Sequence, residues 1–372
     1  MEFQRKQTIE GYLSPKRVLM IYGPRRIGKT TMVKEYLKDK KDSTYEVGDD
    51  IRLQNILSSQ MRKEILDYIR PIDTLVIDEA QQIKNIGIAA KMMIDEFPEK
   101  KIIMTGSSSF ELSQQIGEPL TGRQFRMTLL PISLTELKWS NYEKKQYFEE
   151  ILLYGCYPEI LLAKTHKEKE QKLNELISSY LFKDILSLDK IKSPDLLLKI
   201  TRALAFQIGS EVSLTKLTKD VGENDHKKIA RYLDLLEKTF IIKKVSAFSN
   251  NPRNEISKKV KYYFYDMGIR NAVIGNYNKL DSRDDTGRLW ENFIFMEFYK
   301  KYKIKNDYFD SMYFWRNKNG REVDIVIEEG SRIKAFECKW SMQEVVFTDF
   351  KKAYPNSTTN VISKDNFTDF LS

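Results

Sequence analysis

The stretch Gly23-Pro24-Arg25-Arg26-Ile27-Gly28-Lys29-Thr30-Thr31 decides the reading of this chain. It follows a short apolar run, Arg17–Tyr22 (RVLMIY), and opens a helical pattern from Thr30 to Lys38, so strand, glycine loop and helix succeed one another. Glycines at both ends of G-x-x-x-x-G-K-[ST] permit positive φ and a close backbone approach, so that N–H groups can cradle phosphate, and the helix N-terminus adds its partial positive charge. The pattern predicts an ATP site at residues 23–31 in which Lys29 reaches the β and γ phosphates and Thr30 ligates Mg²⁺.

Outward from the loop, apolar runs recur at Asp73–Ile77 and Lys101–Thr105, with a helical period over Ile83–Phe97 between them. Strand and helix therefore alternate, as in a parallel sheet covered on both faces. The first run ends in Asp78-Glu79. Asp78 is placed to hold the Mg²⁺ shell and Glu79 to polarise the water that attacks the γ-phosphate. The second ends in Thr105-Gly-Ser107-Ser108, where Ser107 can sense the γ-phosphate or simply cap a following helix. Arg123, in LTGR before another apolar run, is a candidate for stabilising transition-state charge, in cis or on a neighbouring copy.

The chain has 372 residues, more than one hydrophobic core usually organises, and its 41% hydrophobic content excludes wholesale disorder. No apolar run reaches the ~18 residues of a membrane span. Met1–Glu10 lacks a secretory core, which points to the cytoplasm and to no membrane partner. With only Cys156, Cys338, His166 and His226, a zinc cluster is excluded and any metal must sit on oxygen. The net charge of +9 is uneven: residues 196–275 hold 15 Lys and Arg against 8 Asp and Glu, a balance of +7. That localised field suits a polyanion such as DNA, although an acidic protein partner satisfies the same electrostatics.

The order of patterns within residues 194–275 is a winged helix-turn-helix: helices at Leu196–Ile208, Leu214–Val221 and His226–Thr239, then IIKKVSAF and VKYYFY. Ile229, Leu233 and Leu236 form one helical stripe, leaving Lys227, Lys228 and Arg231 toward the other side, with Lys243 and Lys244 as further phosphate contacts. Asp281–Asp285 reads as a charged, exposed joint.

Near the C-terminus stands Arg321-Glu-Val-Asp324-Ile-Val-Ile-Glu-Glu-Gly330-Ser331-Arg-Ile-Lys-Ala-Phe-Glu337-Cys-Lys339. Gly330-Ser331 suits a two-residue type II′ turn, which sets Asp324 opposite Glu337 with Cβ atoms about 5 Å apart. Like charges there are destabilising without a cation, so a metal ion shared by Asp324 and Glu337 is the economical explanation. Lys339 falls on the same face. Such a set suits Mg²⁺-dependent phosphodiester hydrolysis, Lys339 orienting water or stabilising charge, with Glu291 on the preceding helix as a further ligand or aligning group.

Taken with GPRRIGKT, LVIDEAQ, MTGSSS, LTGR before LLPIS, YGCYPEI, YYFYDMGIR, GRLWENF and FWRNKNGREVDIV to FECKW, the chain resembles the prokaryotic fused ATPases that join an AAA-type P-loop domain, a winged helix and a restriction-endonuclease-like C-terminal domain. The resemblance implies phosphate-loop roles for Gly28, Lys29 and Thr30, Mg²⁺ and water roles for Asp78 and Glu79, and endonuclease-like positions at Glu291, Asp324, Glu337 and Lys339. Cys156 departs from it, standing where similar chains often have a second glycine. The expected architecture is α/β: an AAA-type P-loop core over 1–130, a helical lid or connector over 131–193, the winged helix over 194–275, and a small restriction-endonuclease-like α/β domain over 276–372. The expected function is Mg²⁺-dependent ATP hydrolysis acting on DNA through residues 194–275 and the C-terminal domain, the latter a candidate Mg²⁺-dependent nuclease, with room for a homo-oligomer. The alternative is a nucleotide-gated switch that binds a protein partner and whose C-terminal domain is an inactive docking module.

Overall fold

The computed structural model describes residues 2–106, 119–178, 193–249 and 260–371. The chain folds as two compact units, one formed by Arg5–Leu130 with Lys238–Phe240, the other by Met1–Gln4, Pro131–Glu237 and Ile241–Ser372.

The first unit is built on β1 (Val18–Tyr22), α1 (Lys29–Leu37), β2 (Ser43–Val47), α2 (Ile51–Ser58), α3 (Arg62–Ile69), β3 (Thr74–Asp78), α4 (Ile86–Glu96), β4 (Lys101–Gly106) and β5 (Gln124–Thr128). All strand pairs are parallel, in the order β2-β3-β4-β1-β5. The central strands are continuous apolar runs because helices cover both faces, and Val18–Tyr22 and Thr74–Asp78 are buried throughout. Parallel strands bring all five carboxyl ends to one edge, and β4 separates the strand before the glycine loop from the strand that ends in Asp78. Sequence patterning alone does not reveal β2, α2 and α3.

In the second unit, α5 (Asn141–Tyr154), α6 (Pro158–Leu162) and α7 (His166–Leu176) come first. Helices α8 (Pro194–Phe206), α9 (Leu214–Val221) and α10 (His226–Lys238) follow, with an antiparallel sheet of β6 (Glu211–Val212), β8 (Val260–Phe264) and β7 (Ile242–Val245) in that spatial order. Then come α11 (Met267–Ile274), α12 (Thr286–Lys305), β9 (Met312–Arg316), β10 (Glu322–Glu329), β11 (Arg332–Cys338), α13 (Thr348–Ala353), β12 (Thr358–Ile362) and α14 (Phe367–Leu371). The last four strands form a sheet of order β12-β11-β10-β9. Helix α12 buries Trp290, which packs edge-on against Phe148, Trp340 and Phe367. Large aromatic surfaces removed from water in this way dominate the energetics of a core.

Two motifs turn out to be packing devices. Gly155 takes φ 76°, and a Cβ there would lie 2.0 Å from the Asp266 carboxylate, while a Cβ on Gly268 would lie 2.0 Å from the Tyr154 carbonyl oxygen. Asp266 accepts the Cys156 N–H at 2.7 Å and caps α11 through Ile269 N–H at 3.1 Å. YGC and DMG thus interlock, and the departure at Cys156 places a buried thiol beside that contact. The segment 281–285 differs from the exposed joint expected: Asp285 pairs with Arg270 at 2.6 Å and with Arg283 at 2.8 Å, although Asp281 and Asp284 remain exposed.

Candidate functional site

The glycine loop holds conformations that its residues dictate. Gly23 takes φ 148°, and a Cβ there would meet the Leu129 carbonyl oxygen at 2.2 Å, so no side chain fits. Gly28 takes φ 98° at the N-cap of α1, and Arg26 between them lies at φ 56°. Arg5 fastens the loop from outside, donating to the Ile27 carbonyl and to the Leu130 carbonyl, each at 2.8 Å. Lys29, the first residue of α1, is buried, and its Nζ donates to the Gly23 and Pro24 carbonyls, each at 2.9 Å. Burial pulls this ammonium down to about 8, although Glu79 and Asp78 favour its charge.

The carboxyl edge of the sheet brings Thr30, Asp78 and Thr105 together. Asp78 Oδ2 accepts from Thr30 Oγ1 at 2.6 Å and from the Tyr45 hydroxyl at 2.7 Å, and its Oδ1 accepts from Thr105 Oγ1. Burial raises its pKa, but these three hydroxyls outweigh burial and hold Asp78 below the ordinary value. Glu79 occupies the left-handed region at φ 54°, ψ 44°, a costly conformation for such a side chain. Its amide donates to Thr105 Oγ1 at 3.2 Å, and its carboxylate accepts from Gln81. Tyr45 escapes sequence reasoning because its strand, STYEV, carries only a weak alternation.

Arg123 is not brought to this site. Gln124 pairs in parallel with Val18, so Arg123 lies at the amino end of the sheet, a strand length of about 17 Å from the loop. There it forms an ion pair with Asp95. A cis role on the γ-phosphate is therefore corrected by the parallel register itself. Ser107 lies outside the described residues.

In the C-terminal sheet the hairpin takes the register that its turn predicts, from Glu329↔Arg332 to Ile325↔Phe336, with Gly330 at φ 61°. Asp324 and Glu337 are next along. Against β9, the pairing steps from Val323↔Trp315 to Val326↔Tyr313, so Asp324 sits at a bulge that re-aims side chains. Asp324 Oδ2 accepts the Cys338 N–H at 2.8 Å, and Lys339 Nζ lies 2.8 Å from Glu337 Oε1. Glu337 Oε2 is buried without a hydrogen-bond partner. Burial, then Asp324, raises Glu291 to about 7; burial likewise raises Asp324 and Glu337.

Besides the metal ion expected between Asp324 and Glu337, the neighbouring acids Glu291 and Glu322 have a side-chain cation of their own. Lys261 on β8, almost wholly buried, places Nζ 2.7 Å from Glu291 Oε1 and 2.5 Å from Glu322 Oε1. Burial disfavours its charge, yet Glu291, Glu322 and Asp324 together hold it above the ordinary lysine value. A lysine inside the aromatic run VKYYFY is the signal that could have found it. Among the described residues no group of three or more His, Cys, Asp or Glu is arranged to hold a metal ion.

On α10, Ile229, Leu233 and Leu236 are buried while Lys227 and Arg231 are exposed. Of the expected phosphate contacts, Arg231 has a partner within the protein, and Lys228 and Lys243 are held in ion pairs. Lys228 pairs with Glu223 at 2.8 Å, and Lys243 is largely enclosed, 2.9 Å from Asp310 and 3.7 Å from Glu237. Among the described residues no helix is long and apolar enough to cross a membrane.

Residues 15–138 match the family described as an AAA domain, residues 145–280 a domain of unknown function (DUF8612), and residues 286–368 another (DUF4143). An uncharacterised protein of Methanocaldococcus jannaschii is 26% identical over 345 residues, covering 86% of this chain and 74% of that one. One of Haemophilus influenzae is 24% identical over 351 residues, covering 88% and 83%. Among solved structures, domain III of the replication initiation protein DnaA of Thermotoga maritima is similar at 14% identity and a TM-score of 0.25, covering 63% of this chain and 98% of that one. Residues 15–138 are thus similar to an AAA domain, and the loop within them opens α1 with Gly28 in the left-handed region.

Proposed function

We propose that this chain is an ATPase that uses Mg²⁺ and acts on DNA. One observation carries the reading: Lys29, Thr30 and Asp78 lie within one hydrogen-bonding neighbourhood at the carboxyl edge of a parallel sheet, directly after the glycine loop. The backbone of residues 23–31 wraps the phosphates, and Lys29 exchanges its carbonyl partners for β and γ oxygens. Thr30 and Asp78 would hold Mg²⁺, a hard cation suited to a hydroxyl beside a carboxylate kept ionised, and the ion would supply charge neutralisation on the phosphates. Glu79 takes the proton of the attacking water, with Gln81 and the Thr105 hydroxyl fixing its side chain and backbone.

Residues 194–275 act as a winged helix that meets the DNA backbone through Lys227, Arg231 and Lys244. The domain at 276–372 is restriction-endonuclease-like, and Asp324 and Glu337 are the residues that would hold Mg²⁺. Support for that ion comes from the partnerless Glu337 Oε2 beside Asp324. The second reading, in which this domain is an inactive docking module, draws support from Lys261, which already neutralises part of the cluster.

The test of the ATPase reading is a pair of variants. Lys29→Ala should lose nucleotide binding, while Glu79→Gln should bind ATP normally and hydrolyse it about 10²–10⁴-fold more slowly. Equal loss of binding in both, by titration with Mg²⁺ present, would remove the assigned roles.

A further inference from the structure

We propose that Lys261 is a tethered cation which supplies positive charge to the C-terminal acid cluster in place of a divalent ion, and so weakens metal binding at Asp324 and Glu337. Lys261 belongs to β8, a strand of the three-stranded sheet and not of the sheet that carries the acids. Its side chain is 1% exposed, its ammonium touches Glu291 at 2.7 Å and Glu322 at 2.5 Å, and it lies 5.3 Å from the Phe314 ring centroid. So enclosed a lysine persists as a charge only where acids compensate it, and the acids are in turn compensated by it.

Glu291, Glu322, Asp324 and Glu337 face the ammonium groups of Lys261 and Lys339, with the Arg316 guanidinium 3.6 Å from Glu322, and Glu337 Oε2 remains without a partner. A divalent ion at Asp324 and Glu337 therefore finds acids to bind but meets repulsion from Lys261 across the cluster. Removing that ammonium leaves the same oxygen atoms with less positive charge opposing a divalent ion, and the same bulge holding Asp324 in place. The position of Lys261 also makes the strength of the metal site a property of β8, an element contributed by residues 194–275. The inference rests on the metal reading of Asp324 and Glu337.

The experiment is a titration of the full chain, free of nucleotide, with Mn²⁺, the free ion being counted by its paramagnetic resonance signal. The portion of binding that Asp324→Asn removes defines the site. Lys261→Met should bind Mn²⁺ at that site at least about tenfold more tightly than the parent. Lys261→Arg, which keeps the charge, should match the parent, and Asp324→Asn added to Lys261→Met should erase the gain. If Lys261→Met folds only with Mn²⁺, monitored by circular dichroism, the ion has taken the place of the ammonium, as expected. Failure to fold even with Mn²⁺ would overturn the proposal, because the ion then cannot substitute. Binding in the parent that depends on Asp324 and is unchanged in Lys261→Met overturns this inference alone. Absence of such binding from every variant overturns both it and the metal reading.

Discussion

Raising the pH should weaken nucleotide binding through Lys29 alone. In the free protein its ammonium is pulled down to about 8 by burial. Bound phosphate oxygens add negative charge beside it, so the bound state has the higher pKa and binding takes up a proton once the free lysine is neutral. Affinity is then full below the free-state value and declines as pH rises through it. With a free-state pKa of about 8, the factor is about twofold at about pH 8 and about tenfold at about pH 9, relative to about pH 7, provided the bound pKa lies higher still. Other groups at the site do not confuse this window. Tyr45 is held above its ordinary value by burial and by its bond to Asp78, and Asp78 is held low. The last phosphate ionisation, with a pKa near 6, is about nine-tenths complete by about pH 7. The assay is titration with a fluorescent ATP analogue from about pH 7 to about pH 9, in parallel with Lys29→Arg, whose guanidinium stays charged throughout. A flat profile for the parent, or the same slope in Lys29→Arg, would refute the assignment of Lys29 as the phosphate's charge partner.

Reversing Lys227 and Arg231 to glutamate should lower duplex affinity whatever the sequence and reduce the salt slope by about 0.9 for each phosphate no longer neutralised, measured by fluorescence anisotropy at several salt concentrations. Lys243→Glu should instead lower thermal stability, since Lys243 pairs with Asp310 and Glu237, and a melt would show the difference. Gly268→Ala should destabilise the second unit by about 1–3 kcal/mol or more, because its Cβ would sit 2.0 Å from the Tyr154 carbonyl oxygen; an unchanged denaturation midpoint would count against the YGC/DMG interlock.

The parts of the fold legible in sequence are those where local chemistry and burial agree. Strands buried on both faces show as unbroken apolar runs, as in Val18–Tyr22 and Thr74–Asp78, and a Gly-Ser turn fixes a hairpin register by geometry alone. Strand β2 is hidden because STYEV is only half-buried along its length, which leaves no apolar run to read. Strand β12 (TTNVI) is hidden for a similar reason, its burial coming at its end. At the proposed nucleotide site, Lys29, Thr30 and Asp78 are legible from spacing, whereas Tyr45 and Arg5 reach it from segments with no motif. Arg123 shows the opposite failure: a suggestive motif names a residue type, and strand direction then decides which end of the sheet it occupies. In the acid cluster the carboxylates are legible from the turn, and their cation is not, because Lys261 arrives from a different sheet.

The left-handed backbone of Glu79 has a consequence for how such a chain would decay. A side chain held at φ 54° costs roughly 1–2 kcal/mol that glycine would not. Under the proposed role of Glu79 in hydrolysis, turnover and folding pull on this one codon in opposite directions. While turnover is under selection the acid is kept and the strain tolerated; once turnover ceases to matter, glycine or asparagine at position 79 becomes a gain in stability with nothing to oppose it. A lineage losing its ATPase would thus be expected to change here early, with the glycine loop still intact, and to leave proteins that hold nucleotide tightly without consuming it.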